Sequence, residues 1–329
     1  MVLIIFTVTY NIYTAPIAKH KVFGVSYMTM NNPFYKIINN EILKVVEKNN
    51  DTLITLDPEL DVDKQNEQIY KFIDQKVDGI FINPIDFEQI EPALQAAKRA
   101  NIPVIIIDAP VSDESLVNCT IVSDNYDAGV QCAKDMMERL DSANIVLLKH
   151  TTAKSAKERI EGFLSVIDNN EKYKVINEAE CDGQLEIAMP KMQEIIEETP
   201  DIDVVMALND PSALGALAAL EKNNKNDVMV YGIDGTPEIK ALIGRNQMIV
   251  GTVAQSPIKM GQIAVENMYN ILNGKKKIEK NIIIPISLIN KENLFKYEYY
   301  IYYKCPRNRR RREIIGRGFA RNKAYGKRS

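Results

Sequence analysis

The chain has 329 residues, more than one domain usually holds, and its 46% hydrophobic and 26% charged composition is that of an ordinary globular protein. Its formal charge of −3 is unevenly spread: residues 305–329 carry ten Lys/Arg and one acid, Glu313, and without them 31 basic residues face 43 acidic ones. So acidic a body argues against nucleic acid as a partner, because a phosphate-binding surface needs concentrated cations.

Cys119, Cys132, Cys181 and Cys305 show neither CxxC spacing nor the density of a disulfide scaffold, and they read as structural thiols. With His20 and His150 as the only histidines, there is little material for a metal site or a nucleophile–histidine pair. No metal and no cofactor is expected.

Residues 1–18 (MVLIIFTVTYNIYTAPIA) are apolar, uncharged and end in small residues before Lys19, as the h-region and cleavage zone of a secretory signal do. A basic n-region and a lipid-acceptor cysteine are missing. A buried first strand is the alternative, but a cleaner strand follows at once. Residues 1–20 are therefore expected to direct export, to the periplasm or the outer face of the membrane. Asn11 and Pro16 make the segment a poor permanent span.

From Val22 onward β-branched runs alternate with amphipathic segments. Strands are predicted at 22–27, 52–56, 79–82 and 103–107, with helices at 33–48, 62–75 and 87–100 between them. Asn32 is placed to cap the first helix, with Pro33 at its first position. The rhythm then restarts. Strands at 145–149, 173–179, 204–208, 228–232 and 249–253 enclose helices at 155–169, 185–198, 212–223 and 237–245. The stretch 119–144, with a helix at 127–140, reads as the connection between the halves. A helix at 257–272 and the apolar run 282–288 follow, and either could return to the first half. The expected fold class is α/β, two similar lobes each built on a parallel sheet.

In open parallel sheets ligands bind beyond the carboxyl ends of the strands, where helix N-termini also point. The residues that follow the predicted strands are Met28-Thr29-Met30-Asn31-Asn32, Asn83, Asp108, Asn209-Asp210, Asp234 and Gln255. Any one of them is readily explained as a turn former or cap. The regularity across two halves points instead to a polar cleft. Carboxylates and amides suit sugars, since each can pair with neighbouring hydroxyls. Phe34 and Tyr35 could offer an apolar face to a sugar ring, although paired aromatics at a helix start also serve cores.

The segments MTMNNPFY (28–35), VIIID (104–108), SAKERIEGF (155–163), NDPSALGALAAL (209–220), VMVYGIDGTP (228–237) and Ala254-Gln255 together resemble the type I periplasmic sugar-binding proteins, closest to the ribose-binding branch. The likeness runs from about Lys21 to Asn293. It implies two Rossmann-like lobes joined by three hinge strands, the first 21–124 plus 256–281 and the second 125–255 plus 282–294. It also implies that Asn32, Phe34, Tyr35 and Asp108 contact the ligand from the first lobe, and Arg159, Asn209, Asp234 and Gln255 from the second. Three positions depart from the ribose binders, Ala109 in place of an arginine and Cys181 and Ile233 in place of aromatics. With Met28 they are expected to line a larger pocket, so a pentose, hexose, polyol or cyclitol each remains open as ligand.

The resemblance further implies a monomer that is not an enzyme and whose partners are a small-molecule sugar and the membrane subunits of an ABC permease. A chemoreceptor or sensor kinase would use the same binding fold. A LacI-type effector domain would need about sixty residues of DNA-binding module before the first strand, where only 21 apolar-rich residues stand. A dehydrogenase would need glycines after the first strand, where YMTMNNPF stands instead. The atypical basic stretch 295–329, with YEYYIYYK and RRRR, breaks with the body and is compatible with a basic arm or an appended sequence.

Overall fold

In the computed structural model of the chain, residues 20–294 are described, Lys276 excepted. The N-terminal segment up to Lys19, expected from the sequence to direct export, and the 295–329 stretch lie outside them.

Strands and α-helices alternate except at two strand-to-strand successions: β1 (Val22–Ser26), α1 (Pro33–Lys48), β2 (Thr52–Leu56), α2 (Val62–Asp74), β3 (Gly79–Ile82), α3 (Glu91–Arg99), β4 (Val104–Ile107) and β5 (Cys119–Ser123). Next come α4 (Asn125–Arg139), β6 (Ala143–Lys149), α5 (Lys154–Ile167), β7 (Tyr173–Glu180), α6 (Leu185–Glu198), β8 (Val204–Ala207) and α7 (Asp210–Lys222). The described residues end with β9 (Met229–Asp234), α8 (Pro237–Leu242), β10 (Ile249–Ala254), α9 (Pro257–Leu272), β11 (Asn281–Ile284) and β12 (Ser287–Asn290). They form two compact units. Among the described residues, one comprises the chain up to Ser123, the brief return Thr152–Lys154 and Ser256–Ile284; the other comprises Asp124–Thr151, Ser155–Gln255 and the residues from Pro285 to Leu294.

Each unit holds one six-stranded sheet, ordered β11-β5-β4-β3-β1-β2 and β12-β10-β9-β8-β6-β7. All pairings are parallel except that of β12 with β10. The orders are the same path walked twice, with β4 corresponding to β9 and β3 to β8. Each reverses direction once, between β1 and β3 or between β6 and β8. Every residue of β3, β4 and β8 is buried, as strands covered by helices on both faces require.

Three sequence expectations change. Cys119–Ser123 is a strand pairing with β4, not part of a connection, and its CTIVS run is β-branched enough to have been read so. The helix expected over 87–100 begins only at Glu91, because Asp86 Oδ1 accepts from the Glu88 and Gln89 N–H groups (2.9 Å each) and holds a turn there. The apolar run 282–288 is two strands. Pro285 breaks it, so residues 282–284, expected in the second lobe, pair with β5 in the first sheet.

The first core packs Ile69 and Phe72 of α2 and Leu94 and Ala97 of α3 on Ile80, Ile82, Val104 and Ile106. In the second, Ala128, Cys132 and Met136 of α4 and Ile160, Phe163 and Ile167 of α5 cover Ile145, Leu147, Met206 and Ile233. Asp135 of α4 secures β12: its carboxylate accepts from Arg139 Nε (2.7 Å), Tyr231 OH (2.8 Å) and Asn290 Nδ2 (2.9 Å). Burial alone would raise its pKa, but those bonds prevail and hold the group below the ordinary carboxylate range.

Helices α4 and α5 approach so closely that a Cβ on Gly162 would lie 1.9 Å from the Tyr126 carbonyl oxygen, and one on Gly129 1.8 Å from that of Arg159. The glycine of the ERIEGF segment is thus a contact requirement, and it fixes where Arg159 stands. Gly162→Ala is expected to destabilise the protein by about 1–3 kcal/mol or more through overpacking against backbone, read as a lower urea midpoint at unchanged slope.

Candidate functional site

In the first unit the loop after β1 carries Tyr27 and Met28 and leads into α1. Asn32 caps that helix, its Oδ1 accepting from Phe34 N–H at 2.9 Å. Capping fixes the first turn and so aims Phe34 and Tyr35, whose rings meet edge to face at 5.7 Å, while Tyr35 stacks on Tyr27 at 5.7 Å. The Tyr35 hydroxyl donates to Met28 Sδ (3.2 Å) and lies 3.4 Å from Asp108 Oδ2. Met28, Tyr35 and Asp108 are therefore one group, with Ala109 fully buried beside it.

Asp108 stands at the end of β4 with φ +72°, and the Ala109 N–H donates to the Ile107 carbonyl at 2.9 Å, closing a three-residue turn around it. A non-glycine residue held there costs on the order of 1–3 kcal/mol, a strain found where a side chain is aimed for use. Asn83, at the end of β3, accepts from Met28 N–H (3.2 Å) and donates to the Ile107 carbonyl (3.2 Å). One buried amide thus ties the carboxyl ends of β1, β3 and β4 together.

The second unit repeats the plan. Asp234 ends β9 as Asp108 ends β4, and it too has positive φ, +142°. Its Oδ1 accepts from Gln255 Nε2 at 2.8 Å and lies 3.8 Å from the Arg159 guanidinium. Arg159, from α5, is 4% exposed and donates Nε to Asn125 Oδ1 (2.9 Å) and a terminal nitrogen to the Leu208 carbonyl (3.0 Å). Arg159, Asp234 and Gln255 are thus brought together, and Asn125, which the sequence reading left out, holds the arginine. Asn125 Nδ2 and Gln255 Oε1 are buried with no hydrogen-bond partner among the described residues. Such atoms are rare in folded proteins and are the kind a ligand hydroxyl satisfies.

Asn209 caps α7, accepting from Ser212 N–H at 2.9 Å, and its Nδ2 donates to the Gly183 carbonyl at 3.0 Å. Its amide has a structural duty at both ends. Cys181 is fully buried, its Sγ near Ser212 Oγ (3.3 Å) and the Lys149 carbonyl (3.6 Å). Burial raises its pKa, and the Ser212 contact only partly opposes this, so it stays a thiol. Ile233 was expected to line a pocket, but it lies in the core under α4 and α5. Side chains alternate along a strand, so the residue before an edge-facing Asp234 turns to a sheet face.

Among the described residues no three or more His, Cys, Asp or Glu side chains gather where they could hold a metal ion. Among them also, no helix is long and apolar enough to cross a membrane.

Two like-ordered doubly wound sheets, each delivering an aspartate and amides at its strand ends, define a bilobal α/β ligand-binding protein. Residues 23–276 match the family described as periplasmic binding protein domain, and the chain belongs to that family. It is 33% identical over 267 residues to the ribose import binding protein RbsB of Bacillus subtilis (strain 168), covering 80% of this chain and 86% of that one. To the RbsB of Escherichia coli (strain K12) it is 30% identical over 267 residues, covering 80% and 88%. Among solved structures, an ABC transporter solute binding protein from Bacillus halodurans C-125 with bound myo-inositol is similar at a TM-score of 0.79 and 25% identity. That match covers 86% of this chain and 99% of that one.

Asn83→Ala would leave the Met28 N–H without its buried acceptor and remove one of the two donors to the Ile107 carbonyl, which keeps the Ala109 N–H. A loss of about 1–3 kcal/mol in unfolding free energy is expected, measured by chemical denaturation.

Proposed function

We propose that this protein is an exported binding protein that captures a sugar or sugar-like polyol and hands it to the membrane subunits of an ABC-type importer. The observation that carries this reading is the Arg159–Asp234–Gln255 group, with Asp108 at the equivalent strand end of the other unit. Guanidinium donors, carboxylate acceptors and an amide that does both match hydroxyls, each of which donates once and accepts twice. A buried arginine and aspartate are expensive to desolvate and contribute little to stability on their own, so their retention favours recognition as their use. Membership of the family and the ribose and myo-inositol binders among the relatives support the class of ligand.

The ligand need not be ribose. Ala109 brings no cation beside Asp108, and Cys181 offers no aromatic face, so hydroxyl geometry and ring stacking both differ from those implied for ribose binders. A pentose, hexose, polyol or cyclitol fits the reading. The protein works as a monomer and binds rather than transforms its ligand. Ligand contacts stabilise a ligand-bound conformation over the free one, and the importer reads that bound conformation.

A thermal-shift panel of D-ribose, hexoses, polyols and inositols tests this. At least one member is expected to raise the melting temperature, since a ligand that binds only the folded state stabilises it, and no shift with any of them overturns the proposal. With that ligand, Arg159→Ala is expected to weaken binding by about 2–4 kcal/mol, because buried acceptors lose a charged donor. Unchanged affinity by calorimetry would remove Arg159 from the site.

A further inference from the structure

Asp210 is fully buried at the first turn of α7, next to Asn209, and no ligand role fits it. Both carboxylate oxygens are engaged. Oδ2 accepts from the Thr236 N–H at 2.7 Å, and Oδ1 accepts from Thr252 Oγ1 at 2.6 Å. The Thr252 hydroxyl in turn accepts from the Gly235 N–H at 3.1 Å. The two backbone amides immediately after Asp234 are therefore both anchored on Asp210, one directly and one through Thr252.

The glycines of the GIDG segment make room for this arrangement. A Cβ on Gly232 would lie 2.5 Å from Asp210 Oδ1. Gly235 has φ +70°, and a Cβ there would lie 2.6 Å from that of Ala254. Asp234 itself, at φ +142°, occupies backbone space that is strained for a non-glycine residue and persists only where its surroundings fix it. The Gln255 N–H closes the other side by donating to the Asp234 carbonyl at 3.1 Å.

We infer that Asp210, acting through Thr252, is the positioning residue that holds Asp234 in its strained, ligand-ready conformation. The inference rests on the proposed ligand role of Asp234 but makes a separate claim about backbone order. Three scattered segments, NDP (209–211), GIDGT (232–236) and GTVAQ (251–255), become parts of one device. A carboxylate suits it because it accepts on both oxygens, whereas an amide accepts on one. Its place in the first turn of a helix lends partial positive charge to the buried anion. Burial raises the Asp210 pKa against the opposing bonds from Thr252 and Thr236.

The test uses the whole protein, with Asp210→Asn, Thr252→Val and Thr252→Ser. Amide hydrogen exchange in the sugar-free protein reads the anchoring directly. Asp210→Asn is expected to speed exchange at Gly235 and Thr236, and Thr252→Val at Gly235, by about tenfold or more, with α4 and α5 unchanged, and Thr252→Ser to restore protection at Gly235. D-ribose and myo-inositol serve as probes by calorimetry. Whichever binds is expected to lose about tenfold in affinity in Thr252→Val, and to lose nothing further when Thr252→Val is added to Asp234→Ala. Unchanged exchange at 235 and 236, or an affinity cost that persists in the Asp234→Ala background, overturns the inference. Should Asp210→Asn not fold, the two Thr252 variants decide alone. Should neither sugar bind, exchange still decides the positioning, and the failure falls on the proposed ligand class.

Discussion

Parallel pairing is the constraint from which the rest follows. Strands that run the same way end on the same edge, so every loop carrying a polar side chain emerges beside its neighbours. In both sheets the order reverses once, between β1 and β3 and between β6 and β8, where adjacent loops part to opposite faces and leave space. Repetition of one strand order gives Asp108 and Asp234 corresponding posts at the ends of β4 and β9, and both hold positive φ. A strain that recurs at equivalent positions of two different sequences is tied to what those positions do.

The polar residues at those edges carry two kinds of work. Asn83 is committed to backbone at both ends of its amide, as is Asn209, and Asn32 spends its carbonyl oxygen on a helix cap. They make rigid loops, and rigidity is what preorganises the neighbouring charges. Arg159, Asp234 and Gln255 instead gather on one another. The helices are part of this arrangement, because the glycine contacts between α4 and α5 place the Arg159 backbone and Asn125 then orients its guanidinium. The cost of burying such groups is offset by the apolar cores packed against each sheet.

Much of this was legible in the residues. Alternation of β-branched runs with amphipathic segments gave both parallel sheets, and Asn32-Pro33 gave the start of α1 to the residue. The acids and amides after the strands are legible by position alone, and Asp108, Asp234 and Gln255 do stand at strand ends, whereas Arg159, which only the family resemblance implies, comes from helix α5. What misled was local. Pro285 sits inside an apolar run whose period does not say which sheet each half joins. Ile233 neighbours a site residue in sequence but faces the core, because neighbours along a strand point to opposite sides. Asn125 was passed over because the helix was expected to start two residues later, where an asparagine before it reads as no more than a turn former.

The sequence by itself determined the fold class, the doubling of the unit and the polar character of the strand ends, since periodicity and strand-end chemistry are short-range properties. Only the tertiary structure decided which of those polar residues are spent on the backbone and which are gathered into a group. That choice depends on contacts across long sequence separation: Arg159 with Asn125 and Leu208, Asp210 with Thr236 and Thr252, Gln255 with Asp234. Hydrogen bonds form between atoms within about 3 Å of each other, and no pattern along the chain encodes which distant loops reach that distance.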